Sequence, residues 1–380
     1  MKRQTFSRTL NEKNLLLRQS DYPGLNELRA IAALCVIPGH VEQMKELNQL
    51  PYYYWFPVPG KLGVVLFFAL SGFLITALLL KEKHRHQCVS LKNFYIKRAL
   101  RIWPLYFFLL TFCILVINKI PVFQLPNLSV ELYGNLTLKN ILLLSFILPN
   151  YIYFVIPYAS HLWSIGIEEQ FYLVQPCIIK VVKHTTVLAG VMLVIVFLKG
   201  ILNTAIDSSA TKYFVTPWTG YFGCIAIGSL GSILCYAKPK FVQKFIHHKA
   251  TQIGALLAFG SFLAAIRIAN NEEVVDFRLH ALVFTIIIIN AATNPKCICS
   301  VTSTALDYVG RISYGIYMYH VFGIGIAIAA ARSFSALSDN RIGFDILVYC
   351  LTLCFTLGIS ALSYRYFEGY FLGLKKKLAL

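Results

Sequence analysis

Eleven apolar segments run through this chain, and short polar stretches separate them. They lie near residues 25–44, 60–80, 102–118, 140–156, 165–181, 185–201, 216–236, 250–268, 279–293, 312–330 and 342–362. A helix needs about 20 apolar residues to cross the hydrocarbon core of a bilayer, because it rises only about 1.5 Å per residue. The pattern therefore predicts an all-α, polytopic membrane protein, and a content of 57% hydrophobic against 14% charged residues supports this class.

One of the segments differs from the rest, because Pro149 and Asn150 interrupt it. Proline removes a backbone donor and clashes with the preceding helical turn, so the two pieces on either side are each too short to span a membrane. We expect this segment to be a short interfacial or re-entrant element. About ten transmembrane helices remain.

The formal net charge of +18 is explained by membrane topology. Lys and Arg accumulate on the cytoplasmic flanks of membrane helices. With a cytoplasmic N-terminus, 24 of the 35 Lys and Arg residues fall on inside segments and ten on outside segments, while Arg29 lies within the first helix. We therefore predict cytoplasmic N- and C-termini and a multi-pass protein of a cell membrane, with a bacterial inner membrane as the expected location, and no nucleic-acid partner.

No linker or low-complexity stretch divides the chain, which predicts a single membrane domain. We expect a cytoplasmic N-terminal segment at 1–24, an integral-membrane domain at 25–371 and a basic cytoplasmic tail at 372–380. The N-terminal segment lacks the features of a cleaved signal, so the first helix is expected to remain as an anchor. Most of the ten cysteines lie in apolar runs without a metal-binding spacing, so no metal is predicted.

The leading candidate site is the pair Arg29 and His40 in the first apolar segment. Eleven helical residues make about three turns, so both side chains lie on one helix face, roughly 16 Å apart. Ionisable groups within a membrane helix are costly and usually face a cavity or a partner. Pro38 can open the backbone near His40 and widen such a cavity. The pair indicates chemistry, or proton transfer, within the membrane.

Two further motifs are candidates: one lies at the start of the third helix, and the other lies in the segment before it. Arg98 and Arg101 are three residues apart, so they form a guanidinium pair that can bind a phosphorylated ligand, although cytoplasmic placement alone also favours basic residues there. Upstream, Ser71 and Gly72 lie within a membrane segment. Small residues there favour either close helix packing or a backbone-lined groove for a thin acyl–pantetheine ligand.

The motif HLWSIGIEEQFY contains two glutamates near the start of an apolar segment, where apolar side chains would be expected. Acidic residues at a helix N-terminus complement the helix dipole, which is one interpretation. Alternatively, a carboxylate here could orient or polarise His40, which we place at the same membrane face. The candidate residues are Glu168 and Glu169, with His161, Trp163 and Ser164 in support.

Two late motifs, ISYGIYMYH and SYRYFE, contain His320, Arg365 and Glu368. We expect an aromatic belt at the membrane interface from the first motif. From the second motif we expect a salt bridge between Arg365 and Glu368 at a helix end.

Taken in order, these segments resemble the acyltransferase-3 family of integral-membrane O-acyltransferases, from about Leu25 to Phe371. The family's Arg-x10-His motif matches Arg29 and His40, its FFxLSGFLIT block matches Phe67 to Thr76, and its RxxR motif matches Arg98 and Arg101. Its HLWSLxxEEQFY block matches His161 to Tyr172, its ISYxxYxxH segment matches Ile312 to His320, and its SYRxxE motif matches Ser363 to Glu368. Val65 stands where members often have an acidic residue, and Ala30 where they often have Gly. With 380 residues and no linker, the extracytoplasmic domain of larger members is not expected here.

The resemblance implies transfer of an acyl group, expected to be acetyl, from cytoplasmic acyl-CoA to a hydroxyl of a cell-surface polysaccharide or glycolipid. Acyl-CoA is then a co-substrate, and no bound cofactor is expected. Arg98 and Arg101 would hold the CoA phosphates, and the pantetheine arm would pass Ser71 and Gly72. His40 would be a general base or an acyl carrier.

In the same scheme Arg29 would stabilise an oxyanion or a phosphate, and Glu168 or Glu169 would fix the histidine tautomer or take a proton. Two alternatives remain open. One is a member of this family that acylates a small molecule or a lipid, and the other is a proton-coupled transporter.

Overall fold

The computed structural model describes residues 15–16, 22, 24–53, 57–125, 135–152, 155–205, 209–271, 274–298, 303–333 and 341–377. Across these ranges the regular structure is entirely helical, as predicted. Most of the N-terminal segment 1–24 and the last three residues of the tail lie outside the described residues.

The described part contains thirteen helices of eight residues or more, together with short 3₁₀ and π turns. They are α1 (Leu25–Leu47), α2 (Pro57–His86), α3 (Leu91–Leu115), α4 (Leu138–Ser145), α5 (Trp163–Val181), α6 (Thr185–Ala205), α7 (Ser209–Ala237), α8 (Lys249–Ala269), α9 (Phe277–Thr293), α10 (Thr304–Arg311), α11 (Ser313–Arg332), α12 (Arg341–Leu362) and α13 (Gly369–Lys377).

Seven stretches of the described chain are long and apolar enough to cross a membrane. They lie at Gly60–His86, Leu91–Leu115, Thr185–Leu202, Trp218–Ala237, Lys249–Ala269, Ser313–Arg332 and Arg341–Leu374. Of the other predicted spans, α1 and α5 carry several charged residues, and α9 has only 17 residues. A multi-pass membrane protein is therefore supported, whereas the count of ten and the cytoplasmic termini stay predictions.

The interrupted segment forms a short helix, as its proline predicts. Helix α4 has eight residues and ends at Ser145, and Pro149 begins a separate 3₁₀ turn. Thr137 caps the start of α4, because its side chain accepts a hydrogen bond from the backbone N–H of Asn140. At about 1.5 Å per residue, eight residues cannot cross a bilayer.

The chain divides into two compact units. Unit 1 comprises residues 1–29, 64–91 and 167–310. In it α7 packs against α6 and α9, and α8 packs against α9. Lys83 of α2 donates hydrogen bonds to backbone carbonyls at the end of α5, including that of Val182 at 2.6 Å. A cation at a helix C-terminus is favourable, because the unpaired carbonyls there carry partial negative charge.

Unit 2 comprises residues 30–63, 92–166 and 311–380, and its main feature is the close pair α11 and α12. Small residues let the two helices approach each other: a Cβ on Gly323 would lie 2.2 Å from Oγ1 of Thr356, and one on Gly315 would lie 3.3 Å from Cβ of Ser360. Such small-residue contacts are typical of helix packing in membranes.

A buried ion cluster joins α1 to α12 within unit 2. Nζ of Lys45 lies 3.1 Å from Oε2 of Glu42 and 2.8 Å from Oδ1 of Asp345. The side chains of Lys45 and Glu42 are each only 1% exposed. The hydroxyl of Tyr349 and the backbone N–H of Tyr53 also donate to Glu42, at 2.8 and 2.7 Å. The cluster follows His40 by about one turn on α1, so it holds that end of the helix in place.

Candidate active site

The centre of the candidate site is a group of three imidazoles in unit 2. His40 comes from α1, His161 from the 3₁₀ turn Ser160–Leu162, and His320 from α11. The ring centroids lie 4.7 Å apart for His40 and His320, 5.0 Å for His161 and His320, and 6.3 Å for His40 and His161. Each ring therefore contacts the other two, although their positions in the sequence are far apart.

The three rings differ in burial. His161 is 2% exposed and His320 is fully buried, whereas His40 keeps an intermediate exposure. Within the described residues the ring nitrogens of His161 make no hydrogen bond of ordinary geometry, and its ring has an electrostatic contact with the backbone of Met318. A buried imidazole without a good hydrogen bond is costly, and such groups are often found where a substrate or water binds.

Tyr317 fixes the turn that carries His161. Its hydroxyl donates to the carbonyl of His161 at 2.9 Å and lies 2.6 Å from the hydroxyl of Ser164. The hydroxyl oxygen of Ser164 also lies 3.3 Å from the same carbonyl oxygen, and because a hydroxyl has one proton, Ser164 donates either to this oxygen or to Tyr317. The ring of Tyr317 also packs edge-on against that of His161, with centroids 5.4 Å apart. Ser164 therefore contacts the turn that carries His161, and its supporting role in the site stays a prediction.

The hydrogen bonds of His40 determine where its ring proton lies. Nδ1 of His40 is 3.1 Å from the carbonyl oxygen of Val36 and 3.2 Å from Nε2 of His320. A carbonyl oxygen can only accept, so Nδ1 of His40 must carry the proton. In the neutral ring, Nε2 then keeps its lone pair. His40 is the least buried of the three histidines, so Nε2 of His40 is the ring nitrogen that a substrate could approach.

Arg29 occupies the same helix as His40, so the predicted eleven-residue helical spacing is present. Its packing contacts belong to unit 1. There its guanidinium lies 3.5 Å from Oδ1 of Asn26, whose amide donates to Asp307 at 2.8 Å. The catalytic role of Arg29 stays a prediction.

Glu168 belongs to a polar chain in unit 1. Its Oε1 accepts from the hydroxyl of Ser71 at 2.8 Å, and its Oε2 accepts from that of Tyr172 at 3.2 Å. Nδ1 of His40 contacts a backbone carbonyl and a second imidazole, and the prediction that Glu168 or Glu169 fixes the tautomer of His40 stays a prediction. A proton-transfer role for Glu168 or Glu169 stays a prediction. Trp163 is the first residue of α5, and its supporting role also stays a prediction.

Gly72 packs against a neighbouring helix. A Cβ at this position would lie 1.9 Å from the carbonyl oxygen of Ile225 on α7, and a Cβ on Gly228 would lie 2.0 Å from that of Ala69. Helices α2 and α7 therefore interlock at backbone distance, which is the packing alternative for this motif. An acyl–pantetheine arm would have to follow another face of α2, and this donor-binding role stays a prediction.

Arg98 and Arg101 both lie near the start of α3, as predicted, and both are partly exposed. The guanidinium of Arg98 stacks over the ring of Phe94 at 5.7 Å. Arg101 interacts electrostatically with Glu368, a residue that is 8% exposed. Their binding of CoA phosphates stays a prediction.

The expected salt bridge between Arg365 and Glu368 is wrong. Glu368 accepts a hydrogen bond from the hydroxyl of Ser363 at 3.1 Å and interacts with Arg101, while Arg365 stacks over the ring of Tyr366 at 5.2 Å. The reason is local geometry, because residues Ser363–Glu368 form a π-helical turn that shifts the usual register of side chains three apart.

The expectation that His320 belongs to an aromatic belt at the membrane interface is wrong. His320 is fully buried and contacts His40. Its sequence did contain a signal: Tyr317 and His320 are three residues apart, and such pairs share one face of a helix. Within the described residues, no group of three or more His, Cys or acidic side chains is arranged to hold a metal ion.

This chain is similar to known proteins over most of its length. The sequence model of the acyltransferase-3 family, described as an acyltransferase domain, matches residues 22–365. The O-acetyltransferase OatA of Staphylococcus aureus strain NCTC 8325 is 27% identical over 379 residues, which cover 91% of this chain and 56% of OatA. A candidate O-acetyltransferase of S. aureus strain COL is 28% identical over 378 residues, which cover 92% of this chain and 57% of that protein.

This chain thus spans little more than half the length of these relatives. No solved structure matches the chain. Because the family model matches residues 22–365, which is well over half of the chain, the chain belongs to the acyltransferase-3 family.

Proposed function

We propose that this chain transfers an acetyl group from cytoplasmic acetyl-CoA to a hydroxyl of a cell-surface polysaccharide or glycolipid, with His40 as the reacting residue. The observation that carries the proposal is the imidazole group, in which Nδ1 of His40 is bound by two acceptors and Nε2 keeps a lone pair. A free imidazole nitrogen within a membrane domain of an acyltransferase family can serve both steps of acyl transfer.

Two roles are consistent with this geometry. As a general base, Nε2 of His40 takes the proton of the acceptor hydroxyl while the acceptor oxygen attacks the thioester carbonyl. The carbon–sulfur bond then breaks, and the CoA thiolate leaves with the proton from Nε2. As an acyl carrier, Nε2 attacks the thioester carbon itself, and CoA leaves as a thiolate when the carbon–sulfur bond breaks. The acceptor oxygen then takes the acetyl group from the nitrogen and loses its proton to a nearby base. In both roles positive charge develops on the ring of His40.

The donor would bind at the cytoplasmic end of α3. Arg98 and Arg101 are accessible, and two guanidinium groups on one helix face suit the phosphates of CoA. Arg29 would stabilise the developing oxyanion or a phosphate, and Glu168 or Glu169 would accept the final proton. An acceptor that is a small molecule or a lipid would use the same residues.

The test is incubation of membranes with acetyl-CoA labelled in the acetyl group. We expect the wild-type protein to release free CoA and to label the glycan fraction, and His40→Ala to lower this turnover by about 100-fold or more, the usual contribution of acid–base catalysis. His86→Ala is the matched control, because His86 is exposed at the end of α2.

Normal turnover in the His40→Ala protein would reject the site. If the wild-type protein released no CoA, the proton-coupled transporter would be the better assignment. Label in a small molecule or in lipid, with none in glycan, would change the acceptor and leave the chemistry of His40 in place.

A further inference from the structure

Two ring nitrogens define the arrangement of His40 and His320. Nε2 of His320 lies 3.2 Å from Nδ1 of His40, and Nδ1 of His320 lies 2.7 Å from the carbonyl oxygen of Tyr317. As that oxygen only accepts, Nδ1 of His320 carries a proton. Since Nδ1 of His40 already carries its own, a second proton on Nε2 of His320 would place two N–H groups against each other. His320 is therefore a neutral ring whose Nε2 accepts from His40.

The surroundings of His320 keep it neutral and immobile. The side chain is fully buried, its ring packs against those of His161 and Tyr317, and its Nδ1 is tied to the backbone one turn earlier on the same helix. A protonated imidazole in this position would lie beside two other imidazoles, and the part of the chain that the structure describes places no carboxylate among its hydrogen-bond partners. Burial of an unpaired charge is costly, so the neutral acceptor is the stable form.

We propose that His320 is a positioning residue for acyl transfer: its Nε2 lone pair holds Nδ1–H of His40 so that Nε2 of His40 faces the substrate. This inference rests on the proposed function of His40. The same hydrogen bond strengthens when His40 becomes positively charged, as base or as acyl carrier, because a charged donor bonds more strongly than a neutral one. A neutral imidazole here takes the part that a carboxylate has in Ser-His-Asp triads.

The carbonyl of Val36 supplies the second acceptor for the same proton, at 3.1 Å. A backbone carbonyl on α1 orients the ring but moves with the helix that carries it. His320 lies 280 residues away and comes from α11, so it couples the position of His40 to a second helix.

The test uses two variants with the same functional group and different reach. In His320→Gln the side-chain carbonyl oxygen can occupy the place of Nε2 and accept from His40. In His320→Asn the amide ends near the place of Nδ1 and cannot reach His40. We expect His320→Gln to keep a kcat for CoA release close to the wild-type value, and His320→Asn to lose roughly 10- to 100-fold in kcat, the equivalent of one charged hydrogen bond. The KM for acetyl-CoA should not change in either variant.

Equal kcat values in the two variants, whether both low or both normal, would overturn the positioning role while leaving the proposed function in place, provided that His40→Ala is inactive. Full turnover in His40→Ala would overturn both.

A measurement on the wild-type protein does not depend on the folding of the His320 variants. Nitrogen-15 spectra of histidine-labelled protein, with the His40 resonances assigned by their loss in His40→Gln, should show a protonated Nδ1 and an unprotonated Nε2. The opposite tautomer would overturn the inference.

Discussion

The packing of α2 against α7 allows a quantitative prediction for Gly72→Ala. A Cβ at this position would lie 1.9 Å from the carbonyl oxygen of Ile225, whereas real Cβ atoms essentially never approach closer than 3.0 Å. The atom is backbone, so it cannot rotate away. The two helices must therefore separate by about 1.1 Å, the difference between these two distances.

Such a separation also weakens the reciprocal contact between Gly228 and Ala69 on the same pair of helices. A radial gap of about 1 Å forfeits roughly a quarter to a half of the dispersion energy across it, and overpacking substitutions typically cost about 1–3 kcal/mol. At roughly 2 °C per kcal/mol for a chain of this size, we expect Gly72→Ala to lower the unfolding temperature by about 2–6 °C.

The assay is thermal unfolding of the detergent-solubilised protein, followed by the fraction that remains monodisperse after heating. Gly190→Ala is the matched control, because Gly190 lies within α6 and a Cβ there would meet no atom of the described residues within 4 Å. Alanine favours a helix over glycine by about 0.5–1 kcal/mol, so the control should unfold at the same or a slightly higher temperature. If Gly72→Ala unfolded together with Gly190→Ala, space would exist beside Gly72 and the close packing would be refuted.

Two further predictions concern charged residues, and Lys92, an exposed residue at the start of α3, is the control for both. Lys45→Met should lower the free energy of unfolding by about 3–5 kcal/mol, because it leaves two carboxylates facing each other without their cation. Lys92→Met should change the free energy of unfolding little. Equal unfolding temperatures for the two variants would show that the cluster is not stabilising. Arg98→Gln and Arg101→Gln should each raise the KM for acetyl-CoA about tenfold without lowering kcat, through the loss of one charged contact to phosphate. A KM equal to that of Lys92→Gln would mean that the two arginines serve membrane topology alone.

Much of the helical framework follows from local patterns in the sequence. The apolar segments predicted helices that the structure has, from α1 at Leu25–Leu47 to α12 at Arg341–Leu362. Pro149 predicted the break after α4, and the spacing of Arg98 and Arg101 placed both residues on one helix. These features depend on backbone hydrogen bonding and on residues within a few turns, so a local window of sequence contains the necessary information.

Side-chain partners were harder to predict where they depend on other helices. The sequence offers Glu168 or Glu169 as a residue that orients His40; Glu168 has hydrogen bonds to Ser71 and Tyr172, and the orienting role stays a prediction. Arg365 was expected to bind Glu368, yet the π-helical turn directs Glu368 towards Ser363 and Arg101. The chain offers each of these side chains several polar partners, and the packing of the helices decides which of them it contacts.

The sequence by itself determined that this is a helical membrane protein of the acyltransferase-3 family with His40 in its first helix. Only the tertiary structure decided that His40 meets His161 and His320 and that, among the described residues, Nδ1 rather than Nε2 of His40 is the hydrogen-bonded nitrogen. The physical reason is that helix periodicity acts over a few residues, whereas the contact between His40 and His320 joins positions 280 residues apart and exists only once their helices have packed.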